Sequence, residues 1–121
     1  MQHSIFALVP VLYTADLPGT IQFYTEALGF SCPEYDPNGW ARLECGTMRL
    51  VFTLSNARFP FQGPAFTGSL YCYTHEVDTW WEKVKDRAKV CYPPEDFDYG
   101  MREFGIYDNN GYLLQFGQEL K

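Results

Sequence analysis

The sequence predicts an α+β fold of two duplicated βαβββ modules whose curved sheets surround a concave cavity, and three observations carry that prediction. Tyr73-Thr74-His75-Glu76-Val77 matches Tyr13-Thr14-Ala15-Asp16-Leu17 at an offset of 60 residues (73 minus 13). The apolar positions Leu17, Ile21, Tyr24 and Leu28 recur as Val77, Trp81, Val84 and Ala88, each set falling on one face of a helix. Met101 to Gly117 then reads as one β-hairpin. On its first arm Arg102, Phe104 and Ile106 alternate with Met101, Glu103, Gly105 and Tyr107; on its second, Tyr112, Leu114 and Phe116 alternate with Leu113, Gln115 and Gly117. Asp108-Asn109-Asn110-Gly111 marks the turn, where Asn and Gly tolerate positive φ. One hairpin face must cover a hydrophobic layer. The other carries Gln115 and Glu103, polar groups that a purely structural sheet does not need.

From the N-terminus, Ile5 to Tyr13 is a continuous apolar run of strand length, and Pro10 places it at an edge, a bulge or a hinge. Asp16 is a good N-cap, Pro18 suits a first helical turn and Gly29 supplies a stop. Phe30 to Tyr35, Trp40 to Cys45 and Met48 to Leu54 read as strands, separated by Asp36-Pro37-Asn38-Gly39 and by Gly46. Arg42 and Arg102 keep the 60-residue offset, each in a strand before a Gly turn. The expected organisation is a single domain over residues 1–121, with modules near 1–58 and 68–121 and a Pro- and Gly-rich connection near 55–68.

Nine Lys and Arg against 15 Asp and Glu give a net charge of −6, which repels phosphate backbones and anionic lipid and attracts cations. Nucleic acid and membrane are therefore not expected partners. Cys32, Cys45, Cys72 and Cys91 form no CxxC pair, and no basic region precedes the first apolar run, so a reducing, cytoplasmic setting is expected. Ten Phe, nine Tyr and three Trp exceed the evident needs of so small a core, which points to rings lining a pocket.

Val9-Pro10-Val11-Leu12, the stretch Leu17 to Ser31 with its Phe23-Tyr24 and Leu28-Gly29-Phe30-Ser31, and Tyr99-Gly100 leading into Arg102-Glu103-Phe104 resemble, in order and spacing, the vicinal oxygen chelate superfamily of glyoxalases, extradiol dioxygenases and bleomycin-resistance proteins. The resemblance is strongest to the bleomycin-resistance branch and spans nearly the whole chain. Metal-dependent members hold their ion with His and Glu from inner strands. The matching places here are Val9, Val51 or Phe52, Ser69 and Gln115, which make no ligand set, and only His3 and His75 exist. His75 lies beside the second helix start, as a cap or surface group. No metal and no cofactor are expected.

In the resistance proteins, aromatic side chains sandwich the flat end of a cationic glycopeptide. Carried over by position, this resemblance implies ligand-binding roles for Tyr35, Trp40, Tyr71, Tyr73, Tyr99 and Gln115, with Tyr at 71, 73 and 99 where that branch often places Trp. No GxSxG elbow, phosphate loop or Cys–His pair offers catalysis. The function implied is metal-independent sequestration of a cationic aromatic antibiotic, such as a bleomycin-type glycopeptide, in the cavity of a homodimer. The alternative is a glyoxalase-like enzyme or binder with another small molecule, for which Glu103 is a candidate base if buried. Beside Arg102, however, Glu103 reads as a surface or dimer-interface residue. In the resembled family the N-terminal strand crosses to the partner, and Pro10 occupies the place of such a hinge; the sequence leaves that exchange open.

Overall fold

The computed structural model describes residues 6–56, 60–65 and 68–121. Two helical and eight extended segments follow one another in the predicted order. The first module contains β1 (Val11–Thr14), α1 (Leu17–Gln22) with a π-helical continuation (Phe23–Ala27), β2 (Ser31–Asp36), β3 (Trp40–Cys45) and β4 (Met48–Leu54). The second contains β5 (Leu70–Tyr73), α2 (Val77–Val84), β6 (Lys89–Phe97), β7 (Met101–Tyr107) and β8 (Leu113–Glu119). They form two four-stranded sheets, ordered β1-β4-β3-β2 and β5-β8-β7-β6. In each, the strand before the helix pairs in parallel with the last strand of its module, and the remaining pairs are antiparallel. A helical crossover makes such a parallel return possible.

The first strand is shorter than the apolar run suggested. It begins at Val11, directly after Pro10, which lacks the N–H a ladder needs. The Pro10 carbonyl still accepts from Val51 N–H at 3.0 Å. Ile5 and His3 lie outside the described residues. At α1 the expected cap forms, with Asp16 Oδ1 accepting from Gly19 N–H at 3.0 Å. The helix then widens, Leu28 N–H reaching Phe23 O five residues back, and closes at Gly29, whose φ is 76°. In α2, Val77 and Val84 are fully buried as expected, but the helix ends at Val84, so Ala88 packs on the core from outside it. His75 is exposed and caps nothing in the described hydrogen bonds; Thr74 Oγ1 and Gln118 Oε1 take the Glu76 and Val77 N–H groups.

Both helices cover the same kind of surface, the face bearing Leu12, Ala41, Leu43, Leu50 and Phe52 in one sheet and Phe104, Ile106, Leu114 and Phe116 in the other. These residues form one cluster across the two modules. Rings bridge it: Tyr24 lies 5.2 Å from Phe52, which lies 6.0 Å from Tyr112. On the second sheet Phe104 and Phe116 stack at 5.0 Å, and Trp81 and Trp80 pack on them in turn. Part of the aromatic surplus therefore serves the core.

The 60-residue offset holds through the first strand and helix start but not beyond. Val11 pairs with Val51, which pairs with Arg42; Tyr71 pairs with Gln115, which pairs with Gly105. Arg42 thus corresponds to Gly105, at an offset of 63 (105 minus 42), and not to Arg102. Accordingly Arg42 lies on the open face with Glu34 and Glu44, while Arg102 lies on the helix side, bonded to Asp78 of α2 and to Asp96 at 3.0 Å each. The hairpin turn also differs in detail: Gly111 alone within it has positive φ, at 96°. Asp108 Oδ1 instead organises the turn by accepting from the Asn110 and Tyr112 N–H groups at 2.8 and 2.9 Å.

Candidate functional site

The face of the second sheet turned away from α2 carries the site. Register places Tyr71 beside Gln115, Tyr73 beside Gly117, and Glu103 across from Gly117. Glu103 is 2% exposed and is the meeting point. Tyr71 donates to its Oε1 at 2.8 Å and Tyr92 of β6 donates to Oε2, while the Tyr99 hydroxyl of the β6–β7 turn acts on its acidity in the same sense. Gln115 Nε2 donates to Tyr92 Oη at 2.9 Å and approaches Glu103 Oε2 at 3.4 Å, while its Oε1 accepts from Ser69. This corrects the surface or interface placement expected for Glu103. Arg102 next to it points to the other face of the strand, so the two do not form a pair.

Burial by itself pushes the Glu103 carboxyl upward, but the hydrogen bonds from Tyr92 and Tyr71, with the Tyr99 hydroxyl, outweigh it and hold the group below its usual range. The phenols move the other way. Burial and the bond to Glu103 raise Tyr71 and Tyr92, and the Glu103 carboxylate pushes Tyr99 up to about 12. The result is an ionised carboxylate clamped by neutral tyrosines. With its oxygens engaged and its basicity lowered, Glu103 is a poor general base.

Around this centre the rings form a wall. Tyr71 and Tyr73 lie 5.0 Å apart at 55°, Phe97 stacks on Tyr99 at 5.4 Å, and Tyr92 meets Phe97 edge-on at 5.9 Å. Tyr73 and Tyr99 are 77% and 63% exposed. Two glycines make the arrangement possible. A Cβ at Gly105 would come within 2.5 Å of the Tyr92 ring, and one at Gly117 would collide with the Tyr71 hydroxyl. A cavity of about 630 Å³ wraps the free edge of β5, between Ser69, Tyr71 and Tyr73 on one side and the turn near Met48 on the other.

Four of the sequence-derived site residues, Tyr71, Tyr73, Tyr99 and Gln115, therefore come together. Trp40 lies on the open face of the first sheet, in register with Thr53 and next to the Arg42 ion pairs. Tyr35 pairs with Ala41 on the helix side and lines a separate groove of about 430 Å³ beside Leu17 and Ile21 of α1. Tyr92, Phe97 and Ser69 complete the cluster without having been assigned to it. The interior-strand glycines Gly105 and Gly117, sharing a face with Glu103 and Gln115, were the available signal.

The places implied for metal ligands do not fit a divalent ion. Phe52 is wholly buried on the core side, Val51 is apolar, and Ser69 and Gln115 are bonded to each other. Among the described residues no three His, Cys, Asp or Glu converge. The four cysteines are free; Cys72 contacts Met48 Sδ at 3.7 Å, and burial pushes its thiol up to about 12.

The duplicated modules and the open-faced site define the class of protein. The chain belongs to the Glyoxalase/Bleomycin resistance protein/Dioxygenase superfamily, whose profile matches residues 5–116. Similar solved structures include a protein of unknown function from Agrobacterium tumefaciens, with TM-score 0.79, 21% identity and 98% of each chain covered. A lactoylglutathione lyase from Agrobacterium tumefaciens is similar with TM-score 0.73 and 21% identity, covering 95% of each chain. A bleomycin-binding protein complexed with bleomycin is similar with TM-score 0.75 and 24% identity over 95% of this chain and 99% of that one. A comparison with curated protein sequences finds no match.

Proposed function

We propose that the protein binds a cationic aromatic small molecule without metal and sequesters it, in the manner of an antibiotic-resistance protein of the cytoplasm. The observation that carries this reading is the wall formed by Tyr71, Tyr73 and Tyr99 on an open sheet face beside the cavity at β5. Flat rings stack on such a wall, and the net charge of −6 favours a cation. The fold shared with a bleomycin-binding protein supports the same class of ligand. Sequestration is preferred to catalysis because the one buried carboxylate at the wall is held ionised with its oxygens engaged.

The reading includes a homodimer. β1 is an edge strand, and Phe6 and Leu8 just before it are 96% and 84% exposed, an apolar arm suited to a second copy of the chain. Among the described residues no helix is long and apolar enough to cross a membrane. Calorimetric titration with a panel of cationic aromatic antibiotics, followed by mass spectrometry of the recovered ligand, tests the function. Saturable binding and an unchanged ligand are expected; a chemically altered ligand would favour a glyoxalase-like enzyme.

A further inference from the structure

The cavity at the free edge of β5 has a second side, turned toward the helices, that the tyrosine wall does not use. Three sulfur side chains meet there, at the seam between the modules. Cys45 and Met48 stand opposite each other across the tight turn at Gly46, whose φ is 60°, so their side chains share one face of the first sheet. Cys72 comes from β5 of the second module, and its Sγ lies 3.7 Å from Met48 Sδ. Burial, and with it the nearness of Cys45, holds the Cys72 thiol protonated. All three residues line the cavity and pack half-buried against the core cluster.

The spacing suits ligation. Metal–sulfur bonds of about 2.3 Å put two sulfurs on one ion roughly 4 Å apart, at trigonal and tetrahedral angles alike. Met48 and Cys72 already stand near that separation, and register with Met48 brings Cys45 to the same place. The donor set then selects the ion. Among the described residues lining the cavity there is no Asp, Glu or His, so ions that need oxygen or imidazole ligands find none. Thiolate together with thioether is the ligand chemistry that favours Cu(I). Charge agrees, because one thiolate neutralises a monovalent ion, and the pair then enters a wall of Leu50, Leu70, Trp80 and Phe116 without net charge. Arg49, the basic residue on the rim, is paired with Glu44 at 3.6 Å.

We propose that Cys45, Met48 and Cys72 form a site for a soft monovalent metal ion, Cu(I), at the seam between the two modules. On binding, a thiol gives up its proton to solvent and its sulfur donates the freed electron pair to the ion, which keeps its oxidation state. The site is separate from the tyrosine wall and does not rest on the function proposed for that wall.

Anaerobic titration of the reduced full chain with Cu(I), in competition with a coloured Cu(I) chelator, tests it. A single bound ion per chain is expected, with a rise in melting temperature because the ion joins β5 to the turn of the first module. Cys32→Ser/Cys91→Ser removes the two thiols outside this cavity and should bind as the parent does. Met48→Leu conserves volume and should weaken binding about tenfold or more, equivalent to about 1.4 kcal/mol. Cys45→Ala and Cys72→Ala should weaken it further. Melting curves without metal report whether each variant folds; if a cysteine variant does not, Met48→Leu carries the test. X-ray absorption of the loaded chain should show only sulfur neighbours around the ion. Loss of binding in Cys32→Ser/Cys91→Ser, unchanged binding in Met48→Leu, nitrogen or oxygen neighbours, or no binding by the parent each overturns the proposal.

Discussion

The Tyr24 hydroxyl donates to Asp108 Oδ2 at 2.7 Å across 84 residues of chain, fastening the first module's helix to the turn of the last hairpin. Thr14 and Thr20 reinforce the same junction: Thr14 Oγ1 donates to Asn110 Oδ1 at 2.6 Å, and Thr20 Oγ1 accepts from Asn109 and Asn110 at 3.1 Å. Both ends of the Tyr24–Asp108 bond are buried.

Tyr24→Phe should therefore destabilise the protein by about 1–3 kcal/mol, the cost of leaving a buried polar group without its partner. The ring contacts with Phe30 and Phe52 survive the change, so the loss isolates the hydroxyl. Denaturant titration measures it; an unchanged midpoint would mean that the remaining bonds to Asp108 suffice.

On β5, Tyr71→Ala or Tyr73→Ala should weaken a stacking ligand about tenfold or more while leaving the fold intact. Leu70→Ala, on the helix side of the same strand, should instead lower the melting temperature. If both Tyr variants bound like the parent and lost stability, the two rings would be core.

Acid stability should depend on Glu103. Its folded-state pKa lies below the ordinary 4.5, so the stability it contributes is present above that value and is lost as pH falls through the folded value. Glu103→Gln should flatten the stability profile below about pH 4.5 relative to the parent. Asp108 acts in the opposite sense: burial raises it despite the bonds it accepts, so its contribution is greatest below its ordinary 3.8 and declines as pH rises through the raised value. Melting temperatures of parent and variant between pH 3 and pH 7 decide the matter; parallel curves would remove Glu103 from the account.

Nickel, zinc or manganese should leave the melting temperature unchanged, because Gln115 has its amide engaged with Ser69 and Tyr92 and its neighbours supply no ligand set. A rise of several degrees that Gln115→Ala abolished would defeat this expectation.

Much of the fold was legible because its signals are local. The repeated helix start, the alternation in Met101 to Gly117 and the turns at Gly39 and Gly46 each dictate structure within a few residues. The site was legible only in part. Tyr71 and Tyr73 follow from period two along β5, but Tyr92 lies in a strand whose register slips on either side of it, next to Pro93 and Pro94, so no alternation assigns it a face. The burial of Glu103 was hidden for a related reason: its neighbours come from β5, β6 and β8, far apart in sequence. Tyr35 lies apart from the cluster, on the first sheet, in a strand whose register also slips, between Ser31 and Glu34.

The hairpin of β7 and β8 carries the intermodule fastening at its tip and Glu103 and Gln115 along its arms. Any rocking of one module against the other would have to drag the tyrosines with it. On the proposed function, a guest at the wall would meet Glu103 and Gln115 on the very hairpin whose tip joins the two halves. A substitution that loosened the joint at Asp108 would therefore be felt along the same two strands that bear the wall, so cohesion of the halves and the posture of the site share one element.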